Sequence, residues 1–337
     1  MSFFAVPVIN RSEMLYRKLG WGPLTVSELS FGTWLTVAGG IAREQAIRCI
    51  HAALDCGITL FDTANQYGAG EAERLLGEAL AGYPRDKFLI ATKLYFQVGD
   101  EPGHGLSAAQ IEKQLDRSLQ RLGVETIDLY QCHRYDPETP LEETLAALDR
   151  AVHSGKVRAI GFSEWTAEQI DAAAKIAGDR NLIPFSSSQP QYSMLWRKPE
   201  SRVFAACVRH GIGNLAFSPL AHGALTGKYA PGQPPPPGSR AANEQMNQFM
   251  ETAGRHYRSD FLLTAVEKLK PIAAELGLSM AQLALAWVLR RPEVASAIIG
   301  ASRPEQIEDN VRAVGVKLPD GALARIDQTI KNVTVRE

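Results

Sequence analysis

Four residues of this sequence have the types and spacing to move a proton: Asp62, Tyr67, Lys93 and His133. Each stands at or just past the end of a short apolar run. Tyr67 lies in Phe61-Asp62-Thr63-Ala64-Asn65-Gln66-Tyr67-Gly68, five residues beyond Asp62. A free phenol has a pKa of about 10 and gives up its proton poorly at neutral pH. A nearby ammonium such as Lys93 favours the phenolate and lowers that pKa, and a carboxylate at Asp62 can hold the lysine in place. His133 could hydrogen-bond a substrate oxygen and orient a carbonyl. An acid of tuned pKa, an orienting donor and no nucleophile–base pair suit carbonyl reduction better than hydrolysis. Something else must then supply the hydride.

The elements that have to carry these groups alternate along the chain. Apolar runs fall at Leu29-Ser30-Phe31, Ile58 to Phe61, Phe88 to Ala91, Ile127 to Tyr130, Val157 to Ile160, Ile183-Pro184-Phe185, Ile212 to Phe217 and Ala297-Ile298-Ile299. Each is short enough for a buried parallel strand. Between them apolar residues return at helical spacing: Ile111, Leu115, Leu119 and Leu122 form one stripe, and Leu141, Leu145, Leu148 and Val152 another. Gly57, Gly123, Gly155 and Gly211 follow helical patterns, where a left-handed cap is wanted. Such alternation predicts an α/β fold, a (β/α)8 TIM barrel, with an open doubly wound sheet as the alternative. Tyr16 to Leu19, turning through Gly20 to Gly22, predicts an N-terminal β-hairpin that closes the barrel floor. A long Pro-rich loop, Gly227 to Ser259 with Pro234 to Pro237, follows the seventh strand and reads as a lid, a binding loop or a disordered insertion. The expected organisation is a tail over 1–13 and a single barrel domain over 14–333.

In a barrel the carboxyl ends of the strands converge on one mouth. In order, the runs are followed by Asp62, Lys93, His133, Ser163, Gln189, Ser218 and Gly300. Seven polar residues or glycines at successive strand ends point to one site.

Composition narrows the functions. The chain has 337 residues, 45% hydrophobic and 22% charged, with 36 Lys+Arg against 37 Asp+Glu and a net charge of −1. That balance gives no electrostatic footprint for nucleic acid or an acidic membrane. No apolar run approaches a membrane span of roughly 20 residues. Met1 to Arg11 lacks a basic leader region, and Cys49, Cys56, Cys132 and Cys207 show neither metal-ligand nor disulfide-framework spacing. The expectation is a cytoplasmic protein with reduced thiols.

The motifs also resemble a known family. Phe61-Asp62-Thr63-Ala64 to Tyr67-Gly68, Thr92-Lys93, Gln131-Cys132-His133 and Ile299-Gly300-Ala301-Ser302 are similar, in order, to those of the aldo-keto reductase superfamily. The likeness runs from about Leu15 to Ile330. Gly32-Thr33-Trp34, Gly105-Leu106-Ser107, His133 to Pro137, Ser218-Pro219-Leu220-Ala221 and Gly227-Lys228-Tyr229 add similarity to the branch that contains the voltage-gated potassium channel β subunits and their bacterial relatives. The resemblance implies a barrel, NADP(H) and reduction of an aldehyde, ketone or keto-sugar. It assigns Asp62, Tyr67, Lys93 and His133 as the catalytic tetrad, with Tyr67 the general acid. It implies that Ser163 and Gln189 meet the nicotinamide amide and that the ring stacks near Tyr192 or Phe217. The Ser218, Pro219, Leu220, Ala221 loop would hold the pyrophosphate with Lys228. Arg240, Ser302, Arg303, Gln306, Asp309 and Asn310 would surround the adenosine end, and Gly32, Thr33, Trp34 and Gly300 complete the cofactor set. The sequence departs from the channel branch at Phe217 (Trp there), Glu164 (Arg), Ile41 (Gln) and His133 (Asn). The last departure favours an enzyme.

Other motifs have plainer readings. Gly68-Ala69-Gly70-Glu71-Ala72-Glu73 imitates a dinucleotide fingerprint, but Glu73 occupies the third glycine position, so it reads as a turn into a helix over Glu71 to Leu80. Ser302-Arg303-Pro304-Glu305 has capping-box form, with Ser302 as N-cap, and its helix start could also receive the 2′-phosphate of NADPH. His222 could line the pocket. Trp34, Tyr95, Phe96, Trp165, Tyr192 and Trp196 could wall it, and Arg134 with Asp136 could pair to fix the loop after His133. Two functions follow. One is an NADPH-dependent carbonyl reductase acting on a small-molecule substrate; the other is an NADP(H)-binding redox-sensing accessory subunit with little turnover. A homo-oligomer is compatible with both.

Overall fold

In the computed structural model, residues 14–36, 41–100, 103–243 and 256–336 are described. The tail over 1–13 and part of the Pro-rich segment, 244–255, lie outside them. Eight strands close into one parallel barrel: β3 (Leu29–Gly32), β4 (Leu60–Asp62), β5 (Leu89–Leu94), β6 (Ile127–Cys132), β7 (Val157–Ser163), β8 (Ser187–Gln189), β9 (Gly213–Phe217) and β10 (Val294–Ile299), with β10 pairing back onto β3. Before them, β1 (Tyr16–Lys18) and β2 (Thr25–Ser27) form the antiparallel hairpin.

The hairpin plugs the floor. Leu19, Leu24 and Val26 join Leu60, Ala91, Leu129, Ala159 and Leu215 in one interior cluster. Gly20 has φ +60°, and a Cβ there would lie 2.2 Å from the Gly211 carbonyl oxygen, so the turn needs glycine to seat against the barrel. Arg17 fastens the hairpin by donating to the carbonyls of Val294 (2.7 Å) and Leu289 (2.9 Å) and to Glu28 (2.7 Å).

Period-two alternation then sets the mouth. Two residues beyond Leu60, Ala91 and Leu129 come Asp62, Lys93 and Gln131, all buried. The same step leads from Ala159 through Gly161 to Ser163. The interior is too crowded for a side chain at Gly161, where a Cβ would fall 2.0 Å from Ser187 Oγ. The outer helices bury the expected stripes: Ile111, Leu115 and Leu122 of helix Ala108–Leu122, and Leu145 and Leu148 of helix Leu141–His153. Ser107 caps the former by accepting from the Gln110 N–H, and Gly123 closes it at φ +65°.

One strand differs from expectation. The apolar run Ile183-Pro184-Phe185 precedes the sixth barrel strand, which is Ser187–Gln189. Ladder pairing with Gly161–Ser163 and with Gly213–Asn214 falls on these polar residues. Ser187 is tolerated inside because its hydroxyl faces the side-chain oxygen of Gln131 at 3.5 Å. Among the described residues, no single helix is long and apolar enough to cross a membrane.

Candidate active site

Asp62, the last residue of β4, is the hub of the mouth. Its Oδ1 accepts from Lys93 Nζ at 2.5 Å, and its Oδ2 accepts from Gln189 Nε2 at 2.8 Å and faces Gln131 Nε2 at 3.5 Å. Lys93, at the inward fifth position of β5, is wholly buried. It also donates to the Thr63 carbonyl at 2.7 Å, and its third direction is toward Tyr67 Oη at 3.5 Å. Tyr67 reaches that position because β4 runs into the short 3₁₀ turn Tyr67–Gly70, which leads into helix Glu71–Leu80 as expected. Glu73 is not exposed to any ligand. It accepts from Thr92 Oγ1 and from Arg121 Nε, both at 2.6 Å, and so fixes the turn against the outer face of β5.

Burial opposes the Lys93 charge, but Asp62 and the Tyr67 oxygen outweigh it and hold the pKa above the ordinary value. Burial raises the Tyr67 phenol; Lys93 opposes this, and the result stays above 10. The expected lowering is therefore only a partial offset, because removal from water penalises the phenolate more than one ammonium 3.5 Å away favours it. His133, one residue past β6, is held well below its usual pKa by burial, Lys93 and Arg134, and is neutral. Its ring meets Tyr67 edge-on at 5.8 Å, and its buried Nδ1 has no hydrogen-bond partner among the described residues. The four side chains expected together are together.

The other expected residues divide. Ser163 Oγ donates to the Gln189 backbone carbonyl at 2.8 Å, while the Gln189 amide is turned inward to Asp62. Thr33 Oγ1 bonds Thr63 Oγ1 at 2.9 Å beside Gly32, and Trp34 carries the Arg240 guanidinium over its ring at 5.2 Å. Phe217 is half-buried at the mouth. Tyr192 is fully buried, donates to Glu200 at 2.6 Å and packs on Phe204 and Trp287, so of the two ring-stacking candidates only Phe217 reaches the mouth. The Ser218-Pro219-Leu220-Ala221 loop is tightly bent, with φ of +53° at Ser218 and +47° at Ala221. His222 follows it, 3.3 Å from Ser218 Oγ and against the ring of Tyr257.

Of the cations expected around the cofactor phosphates, Arg240 and Arg303 come close enough to Lys228 to act on it. Burial, then Arg240 and Arg303, lower the Lys228 pKa, and burial pushes Arg240 down to about 10, still charged at neutral pH. None of the three pairs with a carboxylate among the described residues. Ser302 is not the N-cap: Arg303 holds that position, without a side-chain cap bond, ahead of helix Pro304–Val311. Gln306 accepts from the Ser302 N–H at 2.8 Å, so the capping box of Ser302 with Glu305 does not form. Asp309 accepts from Gln282 Nε2 (2.7 Å) and Ser279 Oγ (3.0 Å), which ties it to helix Met280–Leu289; Asn310 is buried beside it, and Gly300 half-buried at the end of β10.

Two of the six candidate wall residues are packing: Trp165 stacks on Phe162 at 4.9 Å in the outer core, and Tyr192 lies against Trp287. The Trp196 backbone bridges to Val335, and the Lys198 ammonium lies 5.3 Å from the centre of its half-buried ring. Trp34, Tyr95 and Phe96 remain, Phe96 edge-on to His133 at 5.2 Å. Arg134 donates to the His133 carbonyl (2.6 Å) and not to Asp136, whose carboxylate accepts from the backbone N–H of Leu106 and Glu138. Gln131 and Ser187, not among the expected site residues, join the buried polar network behind Asp62. The signal for Gln131 is its place two residues beyond Leu129, on the interior face of β6.

The structure is a closed parallel barrel with a tyrosine, a lysine–carboxylate pair and a neutral histidine gathered at its carboxyl mouth. Residues 28–331 match the aldo/keto reductase family model, and the chain belongs to that family of NADP(H)-binding oxidoreductases. It is 39% identical over 306 residues to a probable voltage-gated potassium channel subunit beta of Oryza sativa subsp. japonica, covering 90% of this chain and 92% of that one. A protein of the same description from Arabidopsis thaliana is 38% identical over 324 residues, covering 95% and 97%. Among solved structures, the glycerol dehydrogenase of Gluconobacter oxydans superposes with a TM-score of 0.80 at 31% identity, covering 94% of this chain and 95% of that one.

Proposed function

We propose that this protein is an NADPH-dependent carbonyl reductase with Tyr67 as its general acid. The observation that carries the reading is the Lys93 ammonium, fixed by Asp62 and Thr63 and directed at the Tyr67 hydroxyl. Bound NADPH supplies the hydride. The chain's part is the proton: the carbonyl oxygen is held by the Tyr67 hydroxyl and a neutral His133, and the Tyr67 proton moves to it as negative charge develops. Lys93 stabilises the phenolate left behind.

The donor set fits the cofactor. Three cations without carboxylate partners among the described residues suit phosphates, and a phosphate offsets the desolvation of the half-buried Arg240. In this reading Lys228 and the Ser218–Ala221 loop hold the pyrophosphate. Arg240, Arg303, Ser302, Gln306 and Asn310 hold the adenosine end, Phe217 backs the ring, Ser163 and Gln189 meet the amide, and Gly32, Thr33, Trp34 and Gly300 border the cleft. Asp309 serves by fixing its helix. The domain is the span 14–333, with 1–13 as a tail.

A second reading, an NADP(H)-binding accessory subunit with little turnover, is favoured by the names of the plant relatives. Purified protein with NADPH and a panel of aldehydes, ketones, quinones and keto-sugars decides between them. Multiple turnovers establish the reductase; binding of NADPH without turnover on any of them sinks it.

A further inference from the structure

The loop after β6 carries one charge that the tetrad does not balance. Lys93 and Asp62 cancel each other, and His133 is neutral. Arg134 stands next in sequence, half-buried, with its guanidinium carbon 5.8 Å from the centre of the Phe96 ring. One of its N–H groups is committed to the His133 carbonyl at 2.6 Å. The others make no hydrogen bond, and no carboxylate pairs with them, among the described residues. Two acids of the flanking loops are engaged elsewhere, and Glu138 faces His104 at 3.8 Å. Asp136 accepts from the Leu106 N–H (2.7 Å), the Glu138 N–H (3.0 Å) and Thr139 Oγ1 (2.7 Å), and Glu164 Oε1 accepts from the Gln191 N–H (2.7 Å). Arg134 is also close enough to the reacting groups to favour the Tyr67 phenolate and to disfavour a charged His133.

A guanidinium stacked on an aromatic wall, with donors to spare, matches the planar geometry of a carboxylate or the oxygens of a phosphate. We infer that Arg134 is a specificity residue that recognises an anionic group on the carbonyl substrate, so that oxo-acids or phosphorylated aldehydes are preferred to neutral carbonyls. This rests on the carbonyl-reductase reading of the same site. The anionic group keeps all its bonds: the carbonyl carbon gains the hydride, its oxygen gains the Tyr67 proton, and NADPH is oxidised to NADP⁺.

The test compares kcat/KM for matched pairs, oxobutanoate against its methyl ester and glyceraldehyde phosphate against glyceraldehyde, in wild type, Arg134→Met and Arg134→Lys. The wild type should prefer one or both anionic members by about tenfold or more, and the preference should shrink with salt. Arg134→Met should cut the anionic-to-neutral ratio roughly tenfold to a hundredfold, mainly through KM, with Arg134→Lys between because it keeps the charge without the fork. The carboxylate and phosphate arms tell which anion fits. No wild-type preference, or an equal loss for both members of each pair in Arg134→Met, overturns the inference. Calorimetry with hydroxybutanoate on NADP⁺-loaded protein separates the two levels. Arg134-dependent binding without turnover of any carbonyl means that the reductase reading fails and the anion site stands; absence of both removes both.

Discussion

The barrel holds a buried carboxylate at each end, and the two are finished differently. Near the floor, Asp128 at the start of β6 is fully buried and accepts from Arg85 (2.5 Å), Arg158 (2.8 Å) and the Ile90 N–H (2.8 Å). At the mouth, Asp62 is equally well bonded, but the chain of contacts beyond it is left open. Lys93 reaches Tyr67 only at 3.5 Å, and His133 Nδ1 has no partner among the described residues. Buried polar groups in folded proteins are nearly all satisfied, and in the proposed reading the substrate oxygen completes the bonding at this open end. The floor cluster closes on itself and serves stability. The mouth cluster passes its charge to groups that face the cleft, and that is the difference between a fastening and a site.

Tyr67→Phe should show the largest effect, since it deletes the open end without disturbing the Asp62–Lys93 pair. Turnover should fall about 10²–10⁴-fold with NADPH affinity retained. In the wild type, neither depressed His133 nor raised Tyr67 titrates between about pH 7 and 9, so these two groups should leave kcat flat across that window. Near wild-type turnover in the Phe variant would remove Tyr67 from the chemistry.

Arg240 and Arg303, proposed to hold the adenosine end of the cofactor, provide a smaller effect. The wild type should bind NADPH at least about tenfold more tightly than NADH, because charge-assisted hydrogen bonds to the extra phosphate are worth about 1.5–3 kcal/mol each. Arg240→Ala combined with Arg303→Ala should erode the preference through NADPH affinity. Fluorescence quenching titrations check it, and equal wild-type affinities would displace the phosphate from this corner.

At the floor the effect on catalysis should be the smallest of all. Asp128→Asn weakens two ion pairs to half-exposed arginines and keeps the shape, so stability should fall by roughly 1–3 kcal/mol while kcat stays near wild type. Urea melts and steady-state rates on one preparation make the comparison. A large loss of turnover at unchanged stability would mean that the two ends are coupled and that the contrast is false.

Much of this site was legible in the sequence because strand ends carry it. Alternation in β4, β5 and β6 places Asp62, Lys93 and His133 on the interior side whatever the details of packing, and a barrel brings adjacent strand ends together. The sixth strand was less legible. Its residues are Ser187, Ser188 and Gln189, whereas the apolar run in this stretch of sequence is Ile183–Phe185. Hydrogen-bond closure of a barrel does not require apolar side chains where inward-facing polar groups find partners. The aromatic residues past the strand ends were ambiguous for a related reason. Trp165 and Tyr192 look like pocket walls in sequence, yet the turn of the chain after each strand decides whether a ring faces the cleft or the outer core.

By itself the sequence determined the order of strands and helices, the hairpin, the placing of Asp62, Lys93 and His133 at strand ends and the glycine turn at Gly20, since each depends on local periodicity or on one residue's allowed backbone. Only the tertiary structure decided how the charges are shared out. It gave Asp136 to the backbone of Leu106 and Glu138, Asp309 to the helix start at Ser279, and the third direction of Lys93 to Tyr67. It also left Arg134 with donors facing no acid among the described residues. Which partner a long charged side chain finds depends on distances between segments far apart in the chain, and these are fixed only when the barrel closes.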